Sequence, residues 1–556
     1  QSSPEGLWLG QIKADSGDPV SIDVSEAEAK LRDDSRHVSV PLDNGAVWIG
    51  LSSQDETGMH GAYIQPSNQI GGQRLAHWVR LSESVEGRWT GTAKPLAREF
   101  SVFMDIARDD ADKLEATLIN PQRNITGPAR QYDVVGDSDE GYQLTVKDSA
   151  DAFSTARLSE TSNTLQMDYG PIPNFEFRLI EKQDPLASAF YGTPPLEALS
   201  APARRLDWPV GSLEDAGFDR MILTGLVNDL RGDIEGKAHP DLVHSLLIAH
   251  EGQLIVEEYF RGYTADDPHD IRSAGKTFAS ILVGVLIEDG HDLTDNTPVN
   301  DYISLANEPT GDAVTIQDLL THRSGLDCYD GNSSSAGNED AMWQQSDHPN
   351  FWTFAANLNF VSAPGEKYAY CSAGINLVGA VLSGASNESV LYLLQSRLFE
   401  PLGFENADWN VMPDGDAYLG GGAFLRPRDI LKIGQLYLDG GQWRGEQIVD
   451  EAWVKASIQP LADITPTTTG LSENEFKRFY FGGTDGLAWH LHKIIVGERV
   501  VQSYEASGNG GQIVVVVPEF DLVVAMTGGN YGQGFVWGQW RQTIIGDRII
   551  KDFELE

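Results

Sequence analysis

A serine and a lysine three residues apart could form a nucleophile and its base. They occur in Ser273-Ala274-Gly275-Lys276, ahead of an apolar stretch that ends at Glu288. Residues at i and i+3 of a helix lie on one face. The field at a helix N-terminus favours an oxyanion over an ammonium, and burial lowers a lysine pKa, so both help the lysine to accept the hydroxyl proton. The alternative is a helix cap followed by a solvated lysine, because the pattern by itself is common.

A tyrosine in a second segment could relay protons. It lies in Tyr370-Cys371-Ser372, after Pro364-Gly365-Glu366 and before the apolar stretch from Ile375 to Leu382. A tyrosine whose pKa is depressed by neighbouring cations can pass a proton between a nucleophile and a leaving group. The alternative is a core tyrosine that packs ahead of the apolar helix.

A glycine-rich segment precedes an apolar strand late in the chain. Ser507-Gly508-Asn509-Gly510-Gly511-Gln512 leads into the stretch from Ile513 to Val517. Small residues there would let a substrate lie along the strand edge and would leave backbone N–H groups free for an oxyanion. A β-bulge or a turn is the alternative for such a segment.

The elements that must position these residues follow from hydrophobic patterns. The continuously apolar segment from Ala274 to Glu288 predicts a helix buried in a large domain, with Gly290 as its C-terminal stop. Alternating and β-branched runs predict two pairs of antiparallel strands. These are Ser245 to His250 with Leu254 to Tyr259, and Ile513 to Val517 with Leu522 to Met526.

The chain is long enough for at least two domains. Residues 1–185 contain short strands separated by Asp, Gly, Ser and Asn clusters, which predicts an antiparallel sandwich or barrel of unknown role. Residues 186–212 are punctuated by prolines and are typical of a linker. Residues 213–556 mix helical and strand patterns and predict an α+β domain. We therefore expect a chain that lacks residues 1–190 to stay soluble and hydrolytic.

Composition limits the partners and cofactors. The net charge of −42 repels phosphate backbones and anionic lipid, so we expect neither nucleic acid nor a membrane as a partner. Hydrophobic residues make up 41% of the chain, which supports packed cores and excludes a disordered protein. His490 and His492 are too few ligands for zinc. No metal or organic cofactor is implied.

The three segments, taken in order, resemble the serine β-lactamase and penicillin-binding-protein superfamily. The closest branch is the class C β-lactamase-like one, with the family VIII esterases and the D-aminopeptidase-type hydrolases. Residues 319–326, 364–366 and 421–429 resemble that branch as well. The resemblance covers residues from about 205 to 550. It implies a five-stranded antiparallel sheet flanked by helices, beside a helical subdomain, so that a β-lactamase-like catalytic domain follows the all-β N-terminal one.

The resemblance also implies roles for matching residues. Ser273 would be the acylated nucleophile, Lys276 its base and Tyr370 the second proton-transfer group. The oxyanion hole would combine the backbone N–H groups of Ser273 and Gln512, with Gly511 as the donor if the alignment shifts by one residue. Four residues of the second and third segments are expected to bind the substrate: Ser372, Asn509, Gly510 and Gly511.

Two departures from the family pattern bear on the substrate. Ser372 stands where its β-lactamases usually carry asparagine, and Asn509 where they carry lysine. The lost lysine removes a cation that would grip the carboxylate of a β-lactam or of a peptide terminus. We therefore predict a serine hydrolase that cleaves a small-molecule carboxylic ester through an acyl-enzyme. The alternatives are an amidase or peptidase acting on D-residue or small cyclic amides, a weak β-lactamase, and a non-catalytic ligand-binding protein with this fold.

The cysteines and the first residues bear on the compartment. Cys328 and Cys371 both adjoin the expected site, and the sequence leaves open whether they form a disulfide. The chain starts Gln1-Ser2-Ser3-Pro4 without Met, as a mature secreted product or a trimmed one would. With the acidic surface, this favours a periplasmic or secreted protein. The oligomeric state is left open.

Overall fold

The computed structural model describes most of the chain. The described residues are 3–15, 17–25, 37–43, 45–55, 58–66, 74–120, 131–137, 140–147, 152–159, 163–169, 172–205, 207–232, 239–309, 313–469, 472–473 and 483–551.

The N-terminal part contains strands as its regular elements. They are β1 (Gly6–Asp15), β2 (Val20–Ser25), β3 (His37–Pro41), β4 (Val47–Asp55), β5 (Gly58–Ile64), β6 (Arg74–Val85), β7 (Arg88–Ala93), β8 (Arg98–Arg108), β9 (Leu114–Ile119), β10 (Gln131–Asp137), β11 (Gly141–Val146), β12 (Ala152–Ser159), β13 (Thr164–Tyr169) and β14 (Ile172–Ile180). The predicted all-β N-terminal fold is confirmed.

Eight of these strands close a barrel. Strand β1 pairs with β14 on one side and with β8 on the other, and β8 to β14 follow in sequence order around the barrel. Alternate residues face inward, as for Val102, Met104 and Ile106 on β8, which are all buried. The barrel therefore has its own apolar core.

The remaining N-terminal strands belong to a second sheet, which includes strands from the second half of the chain. Strands β3 to β6 run side by side, and β6 pairs with β18 (Asp408–Val411) from the second half of the chain. At this junction the buried His77 Nδ1 lies 2.6 Å from Asp408 Oδ1. The sheet continues through β19 (Ala423–Leu425) to β17 (His269–Asp270), directly before the serine–lysine segment. The division at 185 and 212 stays a prediction, and this sheet crosses both boundaries.

The second half of the chain is built on an antiparallel sheet. Its order is β16, β15, β27, β26, β25, β24, β23 and β22. The strands are β15 (Val243–His250), β16 (Gln253–Tyr259), β22 (Ala462–Ile464), β23 (Gly483–Asp485), β24 (His490–Val496), β25 (Arg499–Gly508), β26 (Gln512–Val517) and β27 (Leu522–Gly528), with a separate hairpin of β20 (Gln442–Trp443) and β21 (Glu446–Gln447). The two predicted strand pairs are present, while the sheet has eight described strands rather than five.

Helices cover this sheet and form a block beside it. The α-helices are α1 (Ser188–Tyr191), α2 (Arg220–Arg231), α3 (Thr277–Glu288), α4 (Ile316–Leu320), α5 (Glu339–Gln344), α6 (Phe351–Ala356), α7 (Ser372–Ser386), α8 (Val390–Leu393), α9 (Glu400–Leu402), α10 (Pro427–Leu438), α11 (Glu451–Ser457), α12 (Pro466–Thr469) and α13 (Gly534–Trp537). Two π-helical stretches follow α8 and α13, at Leu394–Phe399 and Arg541–Ile550. The β-lactamase-like fold expected for this half is confirmed.

Helix α3 lies in the main core, as its sequence predicts. Its residues from Thr277 to Leu286 are all buried, because apolar side chains surround the helix on every face.

Among the described helices, none alone meets the length and hydropathy expected of a membrane span. The pair Ser372–Ser386 and Val390–Leu402 meets them only together, across a bend of 83°.

Candidate active site

The predicted nucleophile lies in a tight turn ahead of helix α3. A 3₁₀ turn spans Arg272–Lys276, and Arg272 has a left-handed backbone with φ of 51°. Bulky side chains rarely adopt this conformation. Asp270 holds it, because one carboxylate oxygen accepts the Arg272 N–H at 3.0 Å and the other lies 3.0 Å from the guanidinium. The turn therefore presents Ser273 at a fixed angle to the helix.

Ser273 and Lys276 are hydrogen-bonded. The ammonium Nζ of Lys276 donates to Ser273 Oγ at 3.2 Å and to the carbonyl oxygen of Gly420. Lys276 is only 4% exposed, whereas Ser273 is partly open to solvent. The i, i+3 spacing thus brings the two groups together as the sequence predicted.

Burial does not make this lysine easier to deprotonate. Burial by itself lowers the pKa of Lys276, but its interactions with the Tyr370 side chain and with the acids Glu339 and Asp330 offset that effect, so its pKa is raised. The expectation of a lysine made basic by desolvation is therefore wrong, because the pKa of Lys276 lies above the ordinary lysine value. The acidic neighbours come from distant parts of the chain, which the local pattern could not reveal.

Tyr370 lies next to Lys276 and Ser273. Its ring centroid lies 5.0 Å from Lys276 Nζ. Burial raises the pKa of Tyr370, and this outweighs the opposing effects of the Lys276 charge and of the hydrogen bond with Ser273. The site therefore pairs a neutral phenol with an ammonium near neutral pH. Their protons belong to one coupled pair rather than to either residue.

The His322 ring packs against the Tyr370 ring. The rings lie 4.4 Å apart between centroids, and His322 Nδ1 accepts the N–H of Cys371 at 3.1 Å. Burial lowers the pKa of His322 to about 3, so the ring is neutral. Because Nδ1 accepts a bond, the ring carries its proton on Nε2. The sequence offered only the surrounding loop motif as a signal for this residue.

A disulfide fixes the backbone next to Tyr370. Cys328 and Cys371 are bonded, with their Cα atoms 5.3 Å apart. Asp330 follows in the same loop, and its N–H donates to the Tyr370 carbonyl at 2.9 Å. Burial raises the pKa of Asp330 to about 6, which places a titrating carboxyl beside Lys276.

Ser372 has a different place from the one predicted. Its side chain is fully buried, and both its N–H and its hydroxyl donate to Asp330 Oδ2 at 2.7 Å. A carboxylate that accepts at the first residue of helix α7 also favours that helix end. Ser372 therefore anchors the Asp330 loop to α7. This arrangement does not support direct contact with a substrate.

The glycine-rich segment forms the turn between β25 and β26. Asn509 is exposed, and its Oδ1 accepts the N–H of Gly532 at 2.8 Å. Gly510 and Gly511 have φ of 101° and 94°, and a Cβ atom would stand 2.6 Å from the Tyr531 ring at Gly510 and 2.2 Å from the Trp540 ring at Gly511. Backbone conformation and packing thus explain both glycines, as expected of a turn.

The strand residue that contacts the nucleophile turn is Gly508 rather than Gln512. A Cβ atom at Gly508 would stand 2.2 Å from the carbonyl oxygen of Ile271. Gln512 begins the next strand opposite Gly508, and its side-chain amide is bonded to Gly528. The oxyanion donor expected at Gln512, or at Gly511, stays a prediction, while the packing of Gly508 favours the end of β25 for this role.

The end of β25 also offers a free edge. Its pairing with β24 stops at Glu505 and His490, so residues 506–508 extend past that neighbour. Backbone groups on such an edge can bind an extended substrate or an oxyanion.

Among the described residues, no cluster of three His, Cys, Asp or Glu side chains could hold a metal ion.

Comparison with known proteins finds a relative among the curated sequences. The chain is 24% identical over 235 residues to 6-aminohexanoate-dimer hydrolase of Paenarthrobacter ureafaciens, an alignment that covers 41% of this chain and 59% of that protein. The chain thus spans about three fifths of the length of this relative.

Two solved structures align over longer stretches. They are a putative 6-aminohexanoate-dimer hydrolase from Bacillus anthracis and EstCE1, described as a hydrolase with promiscuous acyltransferase activity. The first is 18% identical with a TM-score of 0.43, covering 61% of this chain and 82% of that one. The second is 15% identical with a TM-score of 0.42, covering 58% and 94%.

A family model gives the assignment. The model described as Beta-lactamase matches residues 237–533, more than half of the chain, and this range holds all three candidate segments. The curated relative is named as a hydrolase. The chain therefore belongs to the beta-lactamase family, within the serine β-lactamase and penicillin-binding-protein superfamily.

Proposed function

We propose that this protein is a serine hydrolase that forms an acyl-enzyme on Ser273. The observation that carries the proposal is the hydrogen bond from Lys276 Nζ to Ser273 Oγ, with the Tyr370 ring beside both groups. Attack requires the Ser273 proton to pass into the Lys276–Tyr370 pair after that pair has released one proton. The same pair then returns a proton to the leaving group, and water hydrolyses the acyl-enzyme by the reverse path.

The oxyanion would be stabilised by backbone N–H groups. Ser273 supplies one at the start of its turn, and the end of β25 next to Gly508 supplies the other. The close approach of Gly508 to Ile271 supports this second position in place of Gln512. Donors fixed by backbone structure need no rearrangement when charge develops on the substrate.

The substrate class we favour is a carboxylic ester without a carboxylate near the scissile bond. Asp330 and Glu339 act electrostatically on Lys276, and the buried Glu505 lies three residues before Gly508. These acids would repel a substrate carboxylate. An ester also needs less protonation of its leaving group than an amide does, because an alkoxide leaves more readily than an amine.

An amide is the second candidate, because of one specific observation. The curated relative is named for hydrolysis of the 6-aminohexanoate dimer. A linear amide with an ammonium end would be compatible with the acidic groups near Lys276.

We propose a periplasmic or extracellular location, supported by the disulfide, which persists in oxidising compartments.

Intact-protein mass spectrometry tests the proposal. The protein is mixed briefly with p-nitrophenyl butyrate, nitrocefin or the linear 6-aminohexanoate dimer, and product release is recorded in parallel. We expect rapid p-nitrophenol release and an acyl mass on the peptide that holds Ser273. Ser273→Ala should keep the fold and lose at least about 99% of turnover. Fast turnover of the dimer with slow ester release would favour the amidase, and turnover that survives in Ser273→Ala would overturn the mechanism.

A further inference from the structure

A histidine stands where the free edge of β25 begins. Strand β24 starts at His490, which pairs with Glu505 of β25, and just before that point the chain turns into the core through the buried Trp489. Residues 506–508 of β25 therefore continue past β24 to the nucleophile turn. A chain bound along this edge would lie in line with β24 and would meet His490 at its far end.

The His490 ring is held at one nitrogen and is accessible at the other. Its Nδ1 lies 2.6 Å from Asp485 Oδ1, and the second oxygen of that carboxylate accepts the Tyr368 hydroxyl at 3.1 Å. Asp485 is buried, whereas the His490 side chain keeps 24% of its surface exposed. Among the described residues, none is hydrogen-bonded to Nε2 of His490, and this atom is not a buried one. A ligand on the strand edge can therefore reach Nε2.

The charges around His490 favour a donor at Nε2. Burial opposes the charge on the ring, but Asp485 outweighs burial and raises the pKa of His490. An imidazolium donates from both nitrogens, so Nε2 then offers an N–H. The other charged or titratable groups around the ring are Glu505, Arg541, His492 and His322.

The acids near this donor already share the available cations. Asp485 is paired with His490 itself, and Glu505 is paired with Arg541 at 3.4 Å. A further carboxylate would add a third negative charge beside these two. A neutral carbonyl oxygen therefore fits Nε2 better, since it accepts a hydrogen bond and adds no charge.

The register of the strands sets the length of the ligand. Glu505, the partner of His490, lies three residues before Gly508, and a strand rises about 3.3 Å per residue, so the two positions are about 10 Å apart. An extended acyl chain attached to Ser273 spans that separation. The acyl part stays on Ser273 until deacylation, so a contact made by this chain acts in both steps of the reaction.

We propose that His490 is a specificity-determining residue of the Ser273 reaction, with Nε2 donating to a carbonyl oxygen that lies about 10 Å along the acyl chain from the scissile bond. The inference rests on the proposed function, because it needs an acyl chain attached to Ser273. The preferred substrates are then esters of long acyl chains that carry a second carbonyl group, rather than plain fatty acyl esters.

Two p-nitrophenyl esters of equal chain length test the proposal. One ends in a methyl ketone about 10 Å from the ester carbonyl, and the other ends in an isopropyl group of the same shape. We expect kcat/KM of the full wild-type chain to be about tenfold higher for the ketone, the effect of one hydrogen bond from a charged donor. His490→Phe, which keeps a ring without the donor, should abolish this preference.

A second variant keeps the test decisive if His490→Phe fails to fold. Asp485→Asn removes the charge that favours the imidazolium, so Nε2 loses its proton while Nδ1 still donates to residue 485. The preference for the ketone should again disappear. His291→Phe is the control variant, because the twelve-residue helix α3 separates His291 from the Ser273 end of the site, and it should keep the wild-type preference.

The pH dependence of the preference gives a readout that a structural role would not change. Both esters use the same Lys276–Tyr370 pair, so the ratio of their kcat/KM values cancels the effect of that pair. We expect the ratio to decline as pH rises through the folded-state pKa of His490, because the imidazolium donor is then lost.

Hydrolysis of p-nitrophenyl butyrate separates the two possible failures, because its acyl chain is too short to reach His490. A wild-type chain that hydrolyses butyrate but does not prefer the ketone would overturn the role of His490 alone. The role is also overturned if His490→Phe and Asp485→Asn both keep the preference. A wild-type chain that hydrolyses none of the three esters would overturn the proposed ester hydrolase together with this inference.

Discussion

Gly508 lies so close to the nucleophile turn that a Cβ atom there would stand 3.1 Å from the amide nitrogen of Ala274 and 2.2 Å from the Ile271 carbonyl oxygen. Both neighbours are backbone atoms, which cannot turn aside as a flexible side chain would. The strand edge and the nucleophile are therefore held at one separation, which any residue other than glycine would increase.

Gly508→Ala should accordingly impair catalysis more than folding. The added methyl must push β25 away from Ser273, and such overpacking costs about 1–3 kcal/mol of stability. We expect kcat/KM to fall at least about a hundredfold, because small displacements of catalytic groups have effects of that size. Gly225→Ala is the matched control, because nothing lies within 4 Å of its Cβ position. Wild-type turnover in Gly508→Ala would contradict this account.

The rate should increase with pH. Lys276 and Tyr370 both have raised pKa values, so the pair is fully protonated near neutrality and gains its basic form only on the alkaline side. We expect kcat/KM still to be rising at about pH 9. A profile of p-nitrophenyl butyrate hydrolysis, corrected for the uncatalysed rate, measures this. A rate that peaks near pH 6 would indicate a different base.

Reduction of the disulfide should slow the reaction. The bond joins Cys328 to Cys371, which is next to Tyr370, and it closes a loop with a sequence separation of 43 residues. Chain-entropy arguments give such a crosslink about 4 kcal/mol of stability. The Cys328→Ser, Cys371→Ser double variant should therefore melt lower and show a reduced kcat well below its melting temperature. An unchanged kcat would mean that His322 and Asp330 suffice to position Tyr370.

His490 should stabilise the protein mainly at acidic pH. Burial opposes its charge, but Asp485, whose carboxylate lies 2.6 Å from Nδ1, outweighs burial and raises the pKa of His490. A raised pKa means that the stabilisation is complete below the ordinary histidine value of about 6.5 and is lost as pH rises through the folded-state value. Urea unfolding of wild type and His490→Gln should therefore differ more at pH 5.5 than at pH 9. An equal difference at both would refute a role for its charge.

A chain that lacks residues 1–190 should aggregate. Strand β6 pairs with β18, and Ile49, Ala62 and Ile64 from the N-terminal sheet belong to the core cluster that includes α3. Removing them exposes an apolar face and an unpaired strand edge. Size-exclusion chromatography of the truncated chain checks this. A monomeric, active fragment would restore the expectation drawn from the sequence alone.

Local patterns were sufficient to predict the proximity of Ser273 and Lys276 and the buried helix that follows them. The i, i+3 spacing of Ser273 and Lys276 fixes their proximity once a helical turn forms, and the apolar run after them can only be buried. The hairpin of β15 and β16 and the turn after β25 depend in the same way on neighbouring residues. The resemblance of the three segments to a known family was informative for the same reason, since each segment is short and continuous.

Tertiary structure alone decided two features. One is the protonation of the site, and the other is where the N-terminal half of the chain joins the second half. The pKa of Lys276 depends on Asp330, Glu339 and Tyr370, which are more than fifty residues away in the chain. The pairing of β6 with β18 likewise joins strands more than 300 residues apart. Electrostatic effects and strand pairing act through space, so neither can be derived from the spacing of residues along the chain.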